Sequence, residues 1–328
     1  MRSMWTARLA WLLAIPLLAV LPLALDGYQI YIVTLVLVNV VVAVGLNLLT
    51  GNAGQISLCH ASFMAIGAYT TTLLMTNLGV PFLVALPTGG VAAAVLGGVL
   101  ALAAIRLSGF YLALATLGFL EVTQIAIEEF GWLTGGVRGL MAPRPTIVGG
   151  IDLGSDLHLY YAVLIVTLFL VWVAYNLLES PVGRAFNAVR VSAAAVQTLG
   201  VSPARTKLTA FALAAFYAGI GGGLAGILAG FIDPTEYGTA ATLRHITFIV
   251  LGGIGSLVGS IVGATVLTLL PEVLRGAAEY GDLFYAALLL GSLILMPKGL
   301  VGLVSHWTRR GPVLSEDVTP AQDREPAR

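Results

Sequence analysis

Apolar runs long enough to cross a lipid bilayer recur along almost the whole sequence. A transmembrane helix needs about 20 mostly apolar residues, and eight runs approach or exceed that length: 9–25, 30–49, 56–76, 82–105, 110–127, 159–178, 208–231 and 283–296. Only 10% of the 328 residues are charged and 58% are hydrophobic, whereas a soluble domain has about 25% charged residues. The sequence therefore predicts an all-α polytopic membrane protein with about eight transmembrane helices, and it argues against a cytosolic enzyme.

A ninth apolar run, 246–270, is interrupted by glycines, among them Gly252, Gly253 and Gly255. Irregular backbone at membrane depth is tolerated only where protein buries it or water reaches it. We therefore expect a broken or re-entrant segment here. Two interpretations stay open: the glycines line a cavity or an interface, or they let helices pack closely through small residues.

The distribution of basic residues predicts the orientation. If the N-terminus is cytoplasmic and the glycine-rich run enters and leaves on one side, twelve of the sixteen basic residues are cytoplasmic and four lie outside. Cytoplasmic loops of membrane proteins carry such an excess of Lys and Arg. We expect residues 1–310 to form the membrane domain, both termini to be cytoplasmic, and the polar, proline-containing tail 311–328 to be disordered. An additional crossing elsewhere would alter the count.

The largest predicted cytoplasmic loop, 179–207, has its own helical pattern. Ser180-Pro181 and Ser202-Pro203 each place a capping hydroxyl before a proline at a first helical position. Between them one apolar stripe at helical spacing predicts a single short amphipathic helix, with Gly200 as a terminating residue; the stripe consists of Val182, Ala185, Phe186, Val189, Ala193 and Val196. Such a helix could lie on the membrane, pack on its own protein or dock into a partner's groove.

Several motifs in order resemble one family. They are Gly51-Asn52-Ala53-Gly54-Gln55-Ile56-Ser57-Leu58-Cys59-His60-Ala61, Ile66-Gly67-Ala68-Tyr69, Gly109-Phe110-Tyr111-Leu112-Ala113, Thr134-Gly135-Gly136, Gly183-Arg184-Ala185, Leu251-Gly252-Gly253 and Pro297-Lys298-Gly299-Leu300. This series resembles the branched-chain amino acid permeases of ATP-binding-cassette importers, and in particular their LivM type.

The resemblance implies a set of partners. It implies a permease subunit of the bacterial inner membrane that forms the solute pathway with a homologous LivH-type permease. Two cytoplasmic ATPases would bind the ATP, and a periplasmic binding protein would deliver the solute, so this chain itself would bind no cofactor. The loop 179–207 would be the region that couples to an ATPase, through Arg184, Ala185, Phe186, Arg190, Leu199 and Gly200.

The sequence departs from the family pattern at three places, of which the first weakens the assignment of individual coupling contacts and the last leaves the solute open. Ala194-Ala195-Val196 precede Gly200 where permeases often carry Glu-Ala-Ala, and Cys59 stands where glycine is usual. Val137-Arg138 replace a small residue followed by asparagine, and Arg138 could meet a carboxylate of the solute or of the binding protein. Relatives in the family move urea, short amides and other small organic molecules, and such a solute is the alternative to a hydrophobic amino acid.

Five polar residues are candidates for the solute pathway. Glu121 is the one acid placed well inside a predicted span, where a charge is costly and defaults to a functional or paired role. Thr116 and Gln124 add polar groups near it, either for the solute or for helix–helix hydrogen bonds. Gln55 and His60 lie near the cytoplasmic end of the span 56–76, and His60 is either a packing residue or a pathway residue.

The sequence lacks the motifs that several other functions would require. The sequence has no phosphate-binding loop, so any ATP hydrolysis must come from another chain. It has no set of metal ligands near His60 and no assembled catalytic set, and its sixteen basic and sixteen acidic residues do not suggest a nucleic-acid partner. An ion-coupled secondary transporter is the remaining rival, although such proteins usually carry several ionisable residues inside the membrane.

Overall fold

The computed structural model describes residues 18–105, 109–145 and 153–273, together with Pro16, Leu107 and Gly291. The tail 311–328 lies outside these residues, as do residues 9–15 and 17 of the predicted first span, 9–25, and, apart from Gly291, the predicted last span, 283–296.

Within the described part the chain is predominantly helical. Its α-helices are α1 (Gly27–Leu46), α2 (His60–Leu78), α3 (Phe82–Ala104), α4 (Phe110–Glu129), α5 (Gly131–Thr134), α6 (Asp156–Glu179), α7 (Pro181–Val191), α8 (Ala193–Thr198), α9 (Pro203–Ala229), α10 (Thr239–Gly252) and α11 (Leu257–Val273). Five of the described segments are long and apolar enough to cross a membrane. They are Gly27–Asn52, which comprises α1 and the π-helical turn after it, and the helices α3, α4, α6 and α9. The predicted helical membrane fold is confirmed, and the count of eight crossings stays a prediction.

Helix α9 is the centre of the bundle and packs against α1, α2 and α3. Its glycines allow this close approach: a Cβ at Gly222 would overlap the backbone of Met64 on α2, and one at Gly67 would overlap the backbone of Gly219. Between helices in lipid, small residues at the contact are the usual means of close packing. Tyr217 adds a buried hydrogen bond from its hydroxyl to the carbonyl of Leu170 on α6, at 2.7 Å.

The predicted span 56–76 begins later than expected. Helix α1 continues into a π-helical segment, Asn47–Asn52, and α2 begins only at His60. The intervening residues are not helical, since Gly54 has a left-handed φ of 68° and the N–H of Leu58 donates to Oγ1 of Thr116 at 2.9 Å. The predicted start of this span at residue 56 was therefore wrong, and Gln55 lies in the non-helical segment before His60.

Two very short strands add an element that the apolar pattern did not indicate. Strand β1 (Leu140–Met141) pairs antiparallel with β2 (Phe231–Ile232), with Leu140 opposite Ile232. The pair ties the connection that follows α5 to the end of α9. A Cβ at Gly139, whose φ is 71°, would overlap the carbonyl of Ile232, so glycine is needed at this crossing.

The glycine-rich run forms a broken hairpin, as its sequence predicted. Helices α10 and α11 are joined by the turn Gly253–Ser256, in which Gly253 and Gly255 have φ values of 120° and 87°. A Cβ at Gly252 would overlap the carbonyl of Gly259, and one at Gly263 would overlap that of Phe248. Because these contacts pair later residues of one arm with earlier residues of the other, the arms are antiparallel. We call Gly253–Ser256 the hairpin tip, and the opposite end of the two arms the open end.

Candidate functional site

The loop 179–207 contains two helices where the sequence predicted one. Ser192 separates α7 from α8, because its Oγ accepts the N–H of Ala195 at 3.2 Å and caps a new helix. The starts at Ser180 and Ser202 are as predicted: Ser180 Oγ accepts the N–H of Val182 at 3.2 Å, and Ser202 Oγ accepts that of Arg205 at 3.4 Å. Gly200 has the left-handed φ of 79° expected of a terminating residue.

One face of these two helices packs on the chain's own bundle. Phe186 is fully buried, and Val189 and Val196 are also buried. Phe186 lies in an apolar cluster with residues of α3, α4 and α9, among them Leu112 and Phe211. Packing on the protein itself is thus one role of this segment.

The other face remains uncovered in the described part of the chain. Val191 is 87% exposed and Leu199 80% exposed, while Arg184 and Gly200 are exposed beside them and Ala185 is half-buried. Exposed apolar residues grouped with a basic one are typical of an interaction surface.

The two arginines of α7 have different environments. The guanidinium of Arg184 donates to the carbonyl of Glu179 at 3.0 Å, within its own segment. The guanidinium of Arg190 donates instead to the carbonyl of Gly51 in the π-helical segment. The Arg190 side chain also lies against Gly54 and the hairpin tip, since a Cβ at Gly54 would come within 2.8 Å of its Cγ and one at Gly255 within 2.9 Å of its Nη1.

The hairpin tip is held on its other side by two asparagines. The N–H of Gly255 donates to Oδ1 of Asn47 at 2.8 Å, and Nδ2 of Asn52 lies 3.4 Å from the carbonyl of Gly255. A Cβ at Gly51 would overlap the Asn47 amide. We call the set Asn47, Gly51, Asn52, Arg190 and Gly255 the junction.

The junction brings together three segments that are far apart in the sequence: the π-helical end of α1, the loop helix α7 and the glycine-rich run. π-Helical turns occur frequently at functional sites. Asn47 was not a candidate residue, although a polar residue at the end of the apolar run 30–49 is a signal that could have found it. Gly255 and Arg190 were candidates, but for separate roles.

The polar residues of α4 do not share one environment. Glu121 is exposed, and its Oε1 lies 3.4 Å from Oγ1 of Thr239. Gln124 is half-buried, and its Nε2 has no hydrogen-bond partner among the described residues. Thr116 is fully buried and fixes the segment before α2 by accepting the N–H of Leu58. The structure thus separates Thr116 from Glu121.

Gln55 and His60 are both buried but do not meet. Nε2 of Gln55 donates to the carbonyl of Ala53 at 3.1 Å. Nε2 of His60 lies 3.1 Å from the carbonyl of Val42, and because a carbonyl only accepts, this nitrogen carries the proton. The His60 ring lies 6.2 Å from that of His245, a residue that sequence reasoning missed. The described residues contain no group of three His, Cys, Asp or Glu side chains able to hold a metal ion.

A cavity of about 620 Å³ lies at the open end of the hairpin. Its walls come from α1, the end of α9, the 3₁₀ turn Pro234–Tyr237, and both hairpin arms. The same two helices, α10 and α11, therefore carry the junction at their tip and line the cavity at their other end.

The chain is similar to known transport permeases. A family model described as the permease component of the branched-chain amino acid transport system matches residues 28–293. The high-affinity branched-chain amino acid transport permease LivM of Escherichia coli K12 is 34% identical over 89% of this chain and 74% of its own length. LivH of the same system and organism is 28% identical over 82% of this chain and 93% of its own length. The autoinducer 2 import permease LsrC of Enterobacter sp. strain 638 is 30% identical over 70% of this chain and 66% of its own length. No solved structure matches the chain.

Proposed function

The chain belongs to the family of branched-chain amino acid transport permeases, and on that premise we propose how it imports its solute. It is a transport permease and not an enzyme. We propose that it forms the pathway for branched-chain or other hydrophobic amino acids together with a homologous, LivH-type permease. Two cytoplasmic ATPases supply the energy and a periplasmic protein delivers the solute. The likeness to both LivM and LivH supports such a pair, because the two relatives carry these names within one transport system.

The charges of the two ends support an orientation in the bacterial inner membrane. The loop at the junction end carries four basic residues, Arg184, Arg190, Arg205 and Lys207, whereas the cavity at the open end is lined by three acids, Asp233, Glu236 and Glu272, and one arginine, Arg244. Basic residues prefer the cytoplasmic side. In the proposed orientation the loop 179–207 and both termini are cytoplasmic, and the cavity opens to the outside.

The proposed coupling has two parts, carried by different residues. The exposed face of α7 and α8, with Arg184, Val191 and Leu199, contacts an ATPase. Arg190 is also exposed, but its guanidinium reaches Gly51 and the hairpin tip, and it passes movements of α7 to them. The hydrogen bond from Arg190 to Gly51 is the observation that carries this proposal, since it connects the loop to the hairpin that lines the cavity.

Reconstitution with the sister permease, the ATPases and the binding protein tests both parts. Arg190→Met retains the aliphatic packing against Gly54 but removes the guanidinium. We expect it to lower leucine import about tenfold while ATP hydrolysis and co-purification of the ATPases persist, because the coupling and not the contact is lost. Arg184→Glu should reduce co-purification of the ATPases.

Arg205→Met is the matched control, since Arg205 is an exposed arginine of the same loop outside the junction. It should change neither import nor co-purification. Unaltered import in Arg190→Met would contradict the role of the junction. Import by the purified chain on an ion gradient, with no ATPase present, would contradict the proposed function itself.

A further inference from the structure

The cavity at the open end extends into the membrane part of the bundle. Its wall on α1 runs from Tyr31 to Asn39, a separation of eight positions, which corresponds to about 12 Å along a helix. Volumes of about 300–1,000 Å³ are typical of small-molecule sites, and this cavity of about 620 Å³ is within that range.

Charged groups gather at the mouth of the cavity. Nη2 of Arg244 donates to Oε2 of Glu236 at 2.9 Å, the single ion pair of Arg244 among the described residues. A guanidinium has five N–H donors in a planar fork that matches a carboxylate, so Arg244 keeps donors for a second acid. Oδ1 of Asp233 accepts from the N–H and the hydroxyl of Thr235, at 2.9 and 2.7 Å, and Glu272 completes the acidic lining.

Below the mouth the walls are mostly apolar. Ile32, Leu35, Leu228 and Phe248 contribute aliphatic and aromatic surface. On one side Nδ2 of Asn39 donates to Oγ1 of Thr268 at 2.9 Å, so these two polar groups satisfy each other.

His245 adds a polar group without a partner. It is 7% exposed and lines the cavity, and its Nδ1 has no hydrogen-bond partner among the described residues. Buried polar groups are normally hydrogen-bonded, and leaving one unpaired is costly. An unpaired ring nitrogen in a cavity wall points to a polar ligand or to water.

We propose that this cavity binds an aliphatic amino acid as its zwitterion. Arg244 binds the carboxylate, held in place by Glu236, and the carboxylate of Asp233 attracts the ammonium group. The aliphatic side chain lies against Ile32, Leu35 and Phe248. This assignment rests on the proposed function, which names the class of solute but not where this chain holds it.

Cysteine protection in the assembled complex tests the assignment. The natural cysteine, Cys59, is fully buried, so a cysteine introduced at the exposed cavity residue Ala229 provides the reactive thiol for a membrane-impermeant maleimide. We expect millimolar leucine to slow the labelling of Ala229→Cys. Isovalerate lacks the ammonium group and isoamylamine lacks the carboxylate, so both should protect much less. Val137→Cys is the control, since Val137 is 79% exposed at the same end but does not line the cavity, and leucine should not protect it.

Substitutions of Arg244 identify the group that recognises the carboxylate. Added to Ala229→Cys, Arg244→Gln should raise the half-protecting leucine concentration about tenfold or more, because a charge-assisted hydrogen bond is lost. Arg244→Lys should restore much of the protection. Glu236→Gln breaks the same ion pair but keeps the guanidinium, so its effect should be clearly smaller than that of Arg244→Gln.

Leucine import measured in the same vesicles separates this inference from the proposed function. Import without protection of Ala229→Cys, or equal protection in Arg244→Gln, would overturn the cavity assignment and leave the permease function intact. Equal protection by isovalerate or isoamylamine would overturn zwitterion recognition. Protection by leucine without any import would support the cavity assignment and contradict the proposed function.

Discussion

Helices α9 and α4 are both long and apolar enough to cross a membrane, yet they have opposite surroundings. In α9, 78% of the most apolar 18-residue window is buried, whereas in α4 the share is 22%. Glycines of α9 meet the backbones of α2 and α3, while α4 leaves a row of large apolar residues exposed, among them Tyr111, Leu114, Val122 and Ile125. Hydropathy thus identifies a span but does not say whether it faces protein or lipid.

The exposed face of α4 also carries Glu121. A carboxylate facing lipid is costly, and such residues almost always face protein or a water-filled cavity. In the described chain Glu121 is exposed, and its Oε1 accepts a hydrogen bond from Oγ1 of Thr239 at 3.4 Å. We therefore interpret α9 as the internal scaffold and the Glu121 face of α4 as the surface toward the homologous permease.

The largest expected difference between the two helices concerns glycine. Gly222→Val on α9 should destabilise the chain by about 3 kcal/mol or more, because the new side chain overlaps the backbone of Met64 and overpacking a tight contact is destabilising. Its yield in mild detergent and its melting temperature should fall. The matched change on α4 is Gly118→Val, where a Cβ meets nothing within 4 Å, and it should leave the melting temperature of the isolated chain unchanged.

Comparable losses of stability in Gly222→Val and Gly118→Val would contradict the contrast between the two helices. If Gly118→Val instead weakened association with the sister permease, this result would support the interpretation that α4 faces that permease.

The second-largest effect is expected from a substitution of Glu121. Glu121→Gln should lower import in the assembled complex several-fold but leave the melting temperature of the isolated chain unchanged, since the side chain is exposed there. Glu128→Gln, an exposed acid at the end of the same helix, is the control and should have little effect on import. Normal import together with a lowered melting temperature of the isolated chain would show that Glu121 has a structural role within this subunit.

The smallest effect is expected on the buried side of α4. Thr116→Val removes the acceptor for the N–H of Leu58, and a lost buried hydrogen bond costs about 1 kcal/mol. Thr123→Val is the control, because its hydroxyl donates to the carbonyl of Phe119 within its own helix, at 2.8 Å. Thermal unfolding of the two variants measures the difference, and equal melting temperatures would mean that the Thr116–Leu58 contact contributes nothing to stability.

Local sequence patterns correctly predicted those helix starts, ends and breaks that depend on neighbouring residues. The Ser-Pro starts at Ser180 and Ser202, the left-handed Gly200 and the broken glycine-rich run all follow from short stretches of sequence. The same reasoning missed the helix break at Ser192, because the apolar stripe continues across it. It also extended a helix over 56–59, where the contact that organises the segment comes from Thr116 on another helix.

The candidate site was predictable in parts but not as an arrangement. Arg190 and Gly255 were among the candidate residues, whereas Asn47, Arg244 and His245 were not. In a mostly apolar chain a single asparagine or histidine can be noticed, but its role depends on which distant backbone or cavity it reaches.

By itself the sequence determined that this chain lies in a membrane as a bundle of helices. The charged residues are too few to cover the surface of a soluble protein, and the apolar runs are long enough to cross a bilayer. It also determined where the loop helices start, since capping is local chemistry. Only the tertiary structure decided which spans are internal, that the loop, the π-helical segment and the hairpin tip meet, and that the hairpin's other end lines a cavity. These depend on contacts between residues far apart in the sequence, such as Arg190 with Gly51 and Asn47 with Gly255, which are 139 and 208 positions apart, and no local pattern encodes them.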